Sequence, residues 1–294
     1  MTSDPECLIL NISKKCSEIV TNYLNIEHTT DIINDTKLRI KHTLEIFETQ
    51  ILTKWSPFCD HETEKSFLSI SYNGGKDSQV LLILYLASIY NKYSHNLKNA
   101  KFKKIPAVYL KTYVNFPEVL KFIETSSLEY QQDLYVTKTS NMETALREYL
   151  ATLKLEHQEE TGILLGTRAS DAVHYKMTTI QPTDKNYPKF IRLQPILEWK
   201  LTNIWSFLIF SDEPHCELYD HGYTSLGKPS ETVANPWLID TEDNPNRQNS
   251  KVFEIEFAHC KYNKQIYSKC DNGYLPGWYL LEDHKERDGR TYKK

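Results

Sequence analysis

No apolar run in this 294-residue chain is long enough to span a bilayer, so no membrane contact is expected. Paired metal ligands are missing too. The six cysteines, at positions 7, 16, 59, 216, 260 and 270, form no Cys-x-x-Cys motif, and no histidine pair completes a zinc pattern. Free thiols, buried or half-buried, are their expected state. A net charge of −4 lacks the positive excess that a broad nucleic-acid surface needs, so no nucleic-acid partner is expected. It leaves room for a local basic pocket that takes a phosphorylated small molecule. The opening residues, MTSDPECLILNISKKC, put acidic groups before a short apolar stretch and do not have a signal-peptide layout, which points to a cytoplasmic protein. What the chain does have is 40% hydrophobic and 12% aromatic residues, enough to bury a sizeable core without metals or disulfides.

The most informative stretch is SISYNGGKDSQVLLILYL at 69–86. Residues 67–72 read as a buried strand and the Leu-rich run from Val80 as a helix, with Asn73-Gly74-Gly75-Lys76-Asp77-Ser78 between them. Strand, glycine turn and helix start in that order make a phosphate cradle. Glycine lets the backbone approach a ligand, and the free N–H groups of the first helical turn face an anion. Lys76 adds positive charge, and Ser78 suits a cap and a hydroxyl donor. The spacer of a Walker loop is absent. An Asn-Gly hairpin is the alternative, but it requires a second alternating strand where this chain turns helical. The loop resembles the SGGKDS pyrophosphate loop of enzymes that split ATP between its alpha and beta phosphates.

Around this loop the pattern alternates. Residues 7–24 and 30–55 carry apolar side chains at helical spacing, with Thr30 or Asp31 capping the second helix and Pro57 ending it. They are expected to buttress or cover the core. Further strands are expected at 105–110, 134–137 and 162–166. Helices are expected at 78–93, from Pro117, and at 142–155 with Asn141 as cap. Such alternation means a parallel sheet covered on both faces, with ligands beyond the carboxyl ends of its strands. Residues 167–190, dense in Arg, Asp, His, Lys and Tyr, show little periodicity and read as a functional flap. A helix is expected at 202–210, a turn-rich segment at 217–226 and an edge strand at 252–258. Pro276-Gly277-Trp278-Tyr279 reads as a rigid turn before a charged tail in which Arg287 and Arg290 are three residues apart.

Four stretches together resemble one family, the fungal-type FAD synthetases (FMN adenylyltransferases) of the phosphoadenylylsulfate reductase superfamily. They are SYNGGKD at 71–77, PTDKNYPKFIRLQP at 182–195, WKLTNIWSFLIFSDEP at 199–214 and PGWYLLEDHKERDGR at 276–290; GYTSLG at 222–227 also fits. The chain departs from the family pattern at Lys111, at Ser170-Asp171-Ala172 and at Tyr187, where a tryptophan is usual. The resemblance implies an α/β fold with a Rossmann-like parallel sheet of the adenine-nucleotide alpha-hydrolase / phosphoadenylylsulfate reductase type, N-terminal helices and a C-terminal docking tail. It divides the chain into a helical buttress (1–60), a nucleotide-binding core (61–214, including the flap at 167–190) and a C-terminal extension (215–294) that completes the flavin site.

The implied reaction is FMN plus ATP giving FAD plus pyrophosphate, with Mg2+ bridging phosphate oxygens and Asp77 the nearest carboxylate to it. Ser71, Tyr72, Asn73, Gly74, Gly75, Lys76, Asp77 and Ser78 are expected to hold ATP, with adenine near Val108, Tyr109 and Leu110. Gly166, Arg168, Asp171, Asp184, Tyr187, Arg192 and Trp237 are expected at the flavin, with Trp278 and Tyr279 as further stacking faces. Asn73, Asp77, Asp184, Arg287 and Arg290 form the expected catalytic set, and Arg168, Arg192, Arg287 and Arg290 are candidates to bring two anions together. A monomer that binds only small molecules is expected.

Each assignment has a plainer alternative. The aspartates can be loop caps or surface ion pairs, and the rings can be core packing. A sulfonucleotide reductase shares the fold, but its catalytic cysteine has no counterpart after Gly273; Cys216 lies well before the tail. An RNA-thiolating enzyme needs paired cysteines and a basic surface. A flavin or nucleotide sensor on the same scaffold would bind without turnover.

Overall fold

A computed structural model describes residues 5–27, 29–58, 66–97, 104–155, 157–171, 177–249 and 272–291. The expected edge strand at 252–258, and Cys59, Cys260 and Cys270, lie outside the described residues. The elements are α1 (Pro5–Leu24), α2 (Asp31–Ile46), a π-turn (Phe47–Ile51), α3 (Leu52–Lys54), β1 (Trp55–Ser56), β2 (Ser66–Ser71), α4 (Lys76–Leu97), β3 (Ile105–Tyr109), α5 (Pro117–Glu129), β4 (Gln132–Val136), α6 (Met142–Thr152), β5 (Gly162–Leu164), β6 (Ile180–Pro182), β7 (Ile191–Leu193) and α7 (Leu201–Ser211), followed by short 3-10 turns.

The strands run in the order β4-β3-β2-β5-β7-β6, with β1 beside the start of β2. All pairings are parallel except β6 with β7. From β2 the chain builds β3 and β4 on one side, then returns to the other side with β5. That reversal opens a crevice beyond the carboxyl ends of β2 and β5. The phosphate loop leaves β2 there, and Gly166 follows β5.

The helices form where their apolar faces and caps allow. Thr30, not Asp31, caps α2, its hydroxyl accepting the Ile33 N–H at 3.3 Å. Asn141 caps α6 by accepting from the Thr144 N–H at 2.9 Å, and Pro117 opens α5. The π-turn interrupts the single helix expected over 30–55, and Trp55 begins a strand instead of ending that helix. Residues 80–87 of α4 have no exposed surface, and α7 is buried through most of its length. Both helices are therefore inside the protein. α1 packs along α4 and α2 along α7, which makes an outer helical layer.

The flap is more regular than its sequence reads. β6 pairs with β7 as a hairpin; the Thr183 N–H donates to the Phe190 carbonyl, and the turn closes with the Tyr187 N–H on the Asp184 carbonyl at 3.0 Å. Its strands are three residues long, and Pro182 and Pro188 sit at its edges, so no alternating run announces it.

Asn203 joins the two helical layers from a fully buried position in α7. Its Oδ1 accepts the Lys200 N–H at 2.8 Å, and its Nδ2 donates to Thr36 Oγ1 at 3.0 Å and to Asp35 Oδ2 at 3.2 Å. Asn203→Leu takes the acceptor from the Lys200 N–H and removes a donor from Thr36 and from Asp35, and should lower stability by about 1–3 kcal/mol in urea denaturation. An unchanged midpoint would contradict this role.

Candidate active site

The loop that follows β2 is shaped by its own side chains. Gly74 takes φ +70°, a backbone region that side chains rarely adopt, and it sits directly over Ile123 of α5. Asn73 Oδ1 accepts from the Gly75 N–H at 3.0 Å. The Ser78 hydroxyl stands 2.8 Å from the same oxygen and 2.9 Å from the Gly75 carbonyl. The amino end of the 22-residue α4 faces the crevice with the partial positive charge of its free amides. Gly166 permits the exit from β5 to press on this turn, since a side chain there would meet the Ser78 backbone at 3.0 Å. Tyr72 points away, its hydroxyl 2.6 Å from Gln79 Oε1 and 2.8 Å from Ser126 Oγ in the core.

Beneath the loop lies a buried cluster of two cations and three carboxylates. The fully buried Arg168 places Nε 2.6 Å from Asp77 Oδ1 and Nη1 2.8 Å from Asp283 Oδ1, and its Nη2 meets Glu286 Oε2. Lys76 Nζ stands 3.0 Å from Asp77 Oδ2 and 2.5 Å from Glu286 Oε1. Burial opposes ionisation of Asp77, but Arg168 and Lys76 outweigh it and hold the carboxyl below its usual range. Burial likewise works against the charge on Lys76 and Arg168, and Asp77 and Glu286 overcome it and raise both groups. The sequence reading aims Lys76 at phosphate and Arg168 at flavin. In the structure both side chains turn into this cluster, because a desolvated cation needs carboxylates around it.

Two adjoining cavities open above. The first, of about 430 Å³, is bounded by the loop, Gly166, Asp171, Tyr219, Arg287 and Arg290, with the ionic cluster at its floor. Arg287 Nη2 lies 2.8 Å from Asp171 Oδ1, while Asp171 Oδ2 accepts the Arg168 N–H at 2.9 Å. Arg290 lies over Gly227, with Nε 3.1 Å from Ser225 Oγ, Nη1 3.3 Å from Thr232 Oγ1 and Nη2 on the Leu226 carbonyl. These three acceptors are neutral.

The second cavity, of about 380 Å³, shares Ser71, Leu110, Met142 and Leu165 with the first. Val108, Leu146, Ile163 and Phe190 give it apolar walls, and the hairpin brings Asp184, Tyr187 and Arg192 to it. Arg192 Nη2 stands 3.2 Å from Asp184 Oδ1 and 3.1 Å from the Pro182 carbonyl. Val108 and Leu110 thus border this cavity, while Tyr109 borders the first, as alternation along a strand requires.

Three rings expected at the flavin border neither cavity. Trp237 is half exposed, its Nε1 donating to Asp288 Oδ2 at 2.7 Å under the Lys285 ammonium. Trp278 and Tyr279 are buried, Trp278 edge-on against Trp205 and His215. Sequence reasoning missed Glu286, Asp283 and Tyr219. The first two sit in a charged tail that reads as solvated, and Tyr219 is one of 19 tyrosines. Cys216 is fully buried, and burial pushes its thiol up to about 11, so it holds no thiolate at neutral pH. Among the described residues no three His, Cys, Asp or Glu side chains group as metal ligands.

Residues 68–234 match the family model of the phosphoadenosine phosphosulfate reductase domain. The chain is 33% identical to the flavin adenine dinucleotide synthase of Saccharomyces cerevisiae, over 95% of its own length and 97% of that protein's. Among solved structures it resembles Candida glabrata FMN adenylyltransferase in complex with FMN and the ATP analogue AMPCPP (36% identity, TM-score 0.82). It also resembles the same enzyme in complex with FAD and inorganic pyrophosphate (36% identity, TM-score 0.83). Each comparison covers 97% of this chain and 98% of the other.

The cluster makes two predictions. Glu286→Ala removes the carboxylate that Lys76 and Arg168 share, leaving them Asp77 and Asp283, and should cost about 1.5–3 kcal/mol by denaturant titration; a loss under ~0.5 kcal/mol would show that the cluster is not cohesive. Asp77 has a lower pKa folded than unfolded. Its contribution is therefore complete above the unfolded value, about 3.9, and is lost as pH falls toward the folded one. Asp77→Asn should flatten the acid limb of the stability profile, and an unaltered limb would remove Asp77 as its source.

Proposed function

The chain belongs to the FAD synthase family, and on that premise we propose its reaction: adenylyl transfer from ATP to FMN, giving FAD and pyrophosphate. It is a nucleotidyltransferase. An FMN phosphate oxygen attacks the alpha phosphorus, and the bond to the bridging oxygen breaks, with its electron pair leaving on pyrophosphate. The attacking group is already an anion, so no enzyme nucleophile is needed. What the protein supplies is position and charge neutralisation.

The observation that carries the reading is the junction of the two cavities. One is polar, floored by a helix amino end and flanked by Arg287 and Arg290; the other is apolar and bordered by a hairpin with hydrogen-bonding side chains. Together they suit a phosphate chain that joins two rings. The loop from Asn73 to Ser78 holds the beta and gamma phosphates, and Arg287 and Arg290 draw the two anions together. Adenine lies against the strand end at Leu110, where the two cavities meet, with Tyr109 on the polar side and Val108 on the apolar side. Flavin approaches from the hairpin, where Asp184, Tyr187 and Arg192 meet its polar edge. Lys76, Asp77 and Arg168 act from beneath by holding the loop and the tail in place. Residues 1–60 serve as the helical buttress, 61–214 as the core and 215–294 as the extension that supplies the two arginines.

Both oxygens of Asp77 face cations at 2.6 and 3.0 Å, so it does not fit as an open metal ligand. In this reading Mg2+ would be held by phosphate oxygens and water and would neutralise phosphate charge, with few protein ligands. The enzyme acts as a cytoplasmic monomer on small molecules. Among the described residues no helix is long and apolar enough to cross a membrane.

The test is to incubate the purified protein with FMN, ATP and Mg2+ and to measure FAD and pyrophosphate in parallel. Equal amounts are expected. Bound flavin without FAD would make the protein a binding module instead. Asp184→Ala should raise the FMN KM about tenfold or more, one lost charged hydrogen bond, and leave the ATP KM within about twofold. Equal changes in both constants would remove Asp184 from the flavin side.

A further inference from the structure

One donor of the phosphate loop ends on a tyrosine. The Lys76 N–H, first amide of α4, donates to the Tyr219 hydroxyl oxygen at 3.1 Å. Tyr219 comes from the turn Glu217–His221 after α7 and is 2% exposed. Its ring is fixed edge-on against Trp205, with centroids 5.1 Å apart, and the Lys76 ammonium sits 5.8 Å from its centroid. Tyr219 borders the polar cavity, and its hydroxyl stands 3.6 Å from where a side chain on Gly75 would begin.

A phenol has one hydrogen to give as well as lone pairs to accept with. Here the oxygen accepts from Lys76, and among the described residues no acceptor takes the hydrogen. The Gly75 N–H and the Ser78 hydroxyl, by contrast, both face Asn73 Oδ1. We propose that Tyr219 is a phosphate-binding residue: its O–H donates to a non-bridging oxygen of the beta or gamma phosphate, and to the same oxygen of the pyrophosphate product. The identity of that phosphate rests on the adenylyl-transfer reading.

Three physical features support the assignment. Burial raises the phenol above its ordinary value despite the neighbouring Lys76 charge, so it remains a donor at neutral pH. The chain from Lys76 N–H through Tyr219 O–H to phosphate is cooperative, and it carries the helix-end field one bond further into the cavity. The packed ring has little rotamer freedom left to lose when the ligand arrives.

The test titrates inorganic pyrophosphate with Mg2+ into wild type and Tyr219→Phe by calorimetry, alongside FMN binding and steady-state constants. The variant should bind pyrophosphate about tenfold more weakly and show a matching rise in ATP KM, with FMN affinity changed less than about twofold. Unchanged pyrophosphate affinity would overturn the proposal. So would tighter binding, because the hydroxyl would then only occupy a phosphate's place. If wild type binds pyrophosphate and the variant does so weakly, yet no FAD forms, the inference stands and the reaction assignment falls. If FAD forms but the two proteins bind pyrophosphate alike, the reverse holds. Should the variant fail to fold, 3-fluorotyrosine placed at Tyr219 gives a second readout. Its fluorine resonance must move on adding pyrophosphate, and a fixed resonance overturns the proposal.

Discussion

Glu286 closes the structure. Its carboxylate reaches both Lys76, in the phosphate loop, and Arg168, after β5, across sequence separations of 210 and 118 residues. Asp283, one turn earlier, pairs with Arg168 and also accepts the Leu201 N–H at 2.9 Å, which ties the tail to the start of α7. A buried ion pair is a weak source of net stability, but each member removed leaves the desolvated groups around it with fewer partners. The loop, the exit from β5 and the tail are therefore expected to order together. The Thr224 hydroxyl on the Glu286 carbonyl and Asn235 on the Lys285 carbonyl fix the tail backbone at the same place.

This arrangement separates two uses of positive charge. Lys76 and Arg168 are enclosed by carboxylates and set shape. Arg287 and Arg290 follow Glu286 in the chain and border the cavity, so docking Glu286 also brings them to its wall. In the proposed reaction the leaving group would then rely on backbone amides and a helix end, and the approaching phosphate on the tail arginines. Chemistry whose nucleophile is already charged suits such a site, since the remaining task is to hold two anions close while charge moves between them.

Local features were readable in the sequence and long-range ones were not. The strand, loop and helix from Ser66 to Leu97 are contiguous, so periodicity and glycines announce them. Asn141 and Pro117 mark helix starts by chemistry confined to a few residues. The β6–β7 hairpin escaped because its strands are three residues long and bordered by prolines. Arg168 and Arg290 look alike as letters; only their partners tell a structural cation from a cavity one. Glu286 reads as one more charge in HKERDGR until its partners are seen, and Trp278 reads as a stacking face until Trp205 and His215 are found around it.

The central claim is that the loop and tail form one cooperative unit through the buried cluster. Native-state hydrogen exchange across a denaturant series tests it directly, by comparing amides of residues 75–79 with those of 285–290. Both segments should share one opening free energy and one denaturant dependence. A tail that opens at markedly lower free energy while the loop remains protected would contradict it.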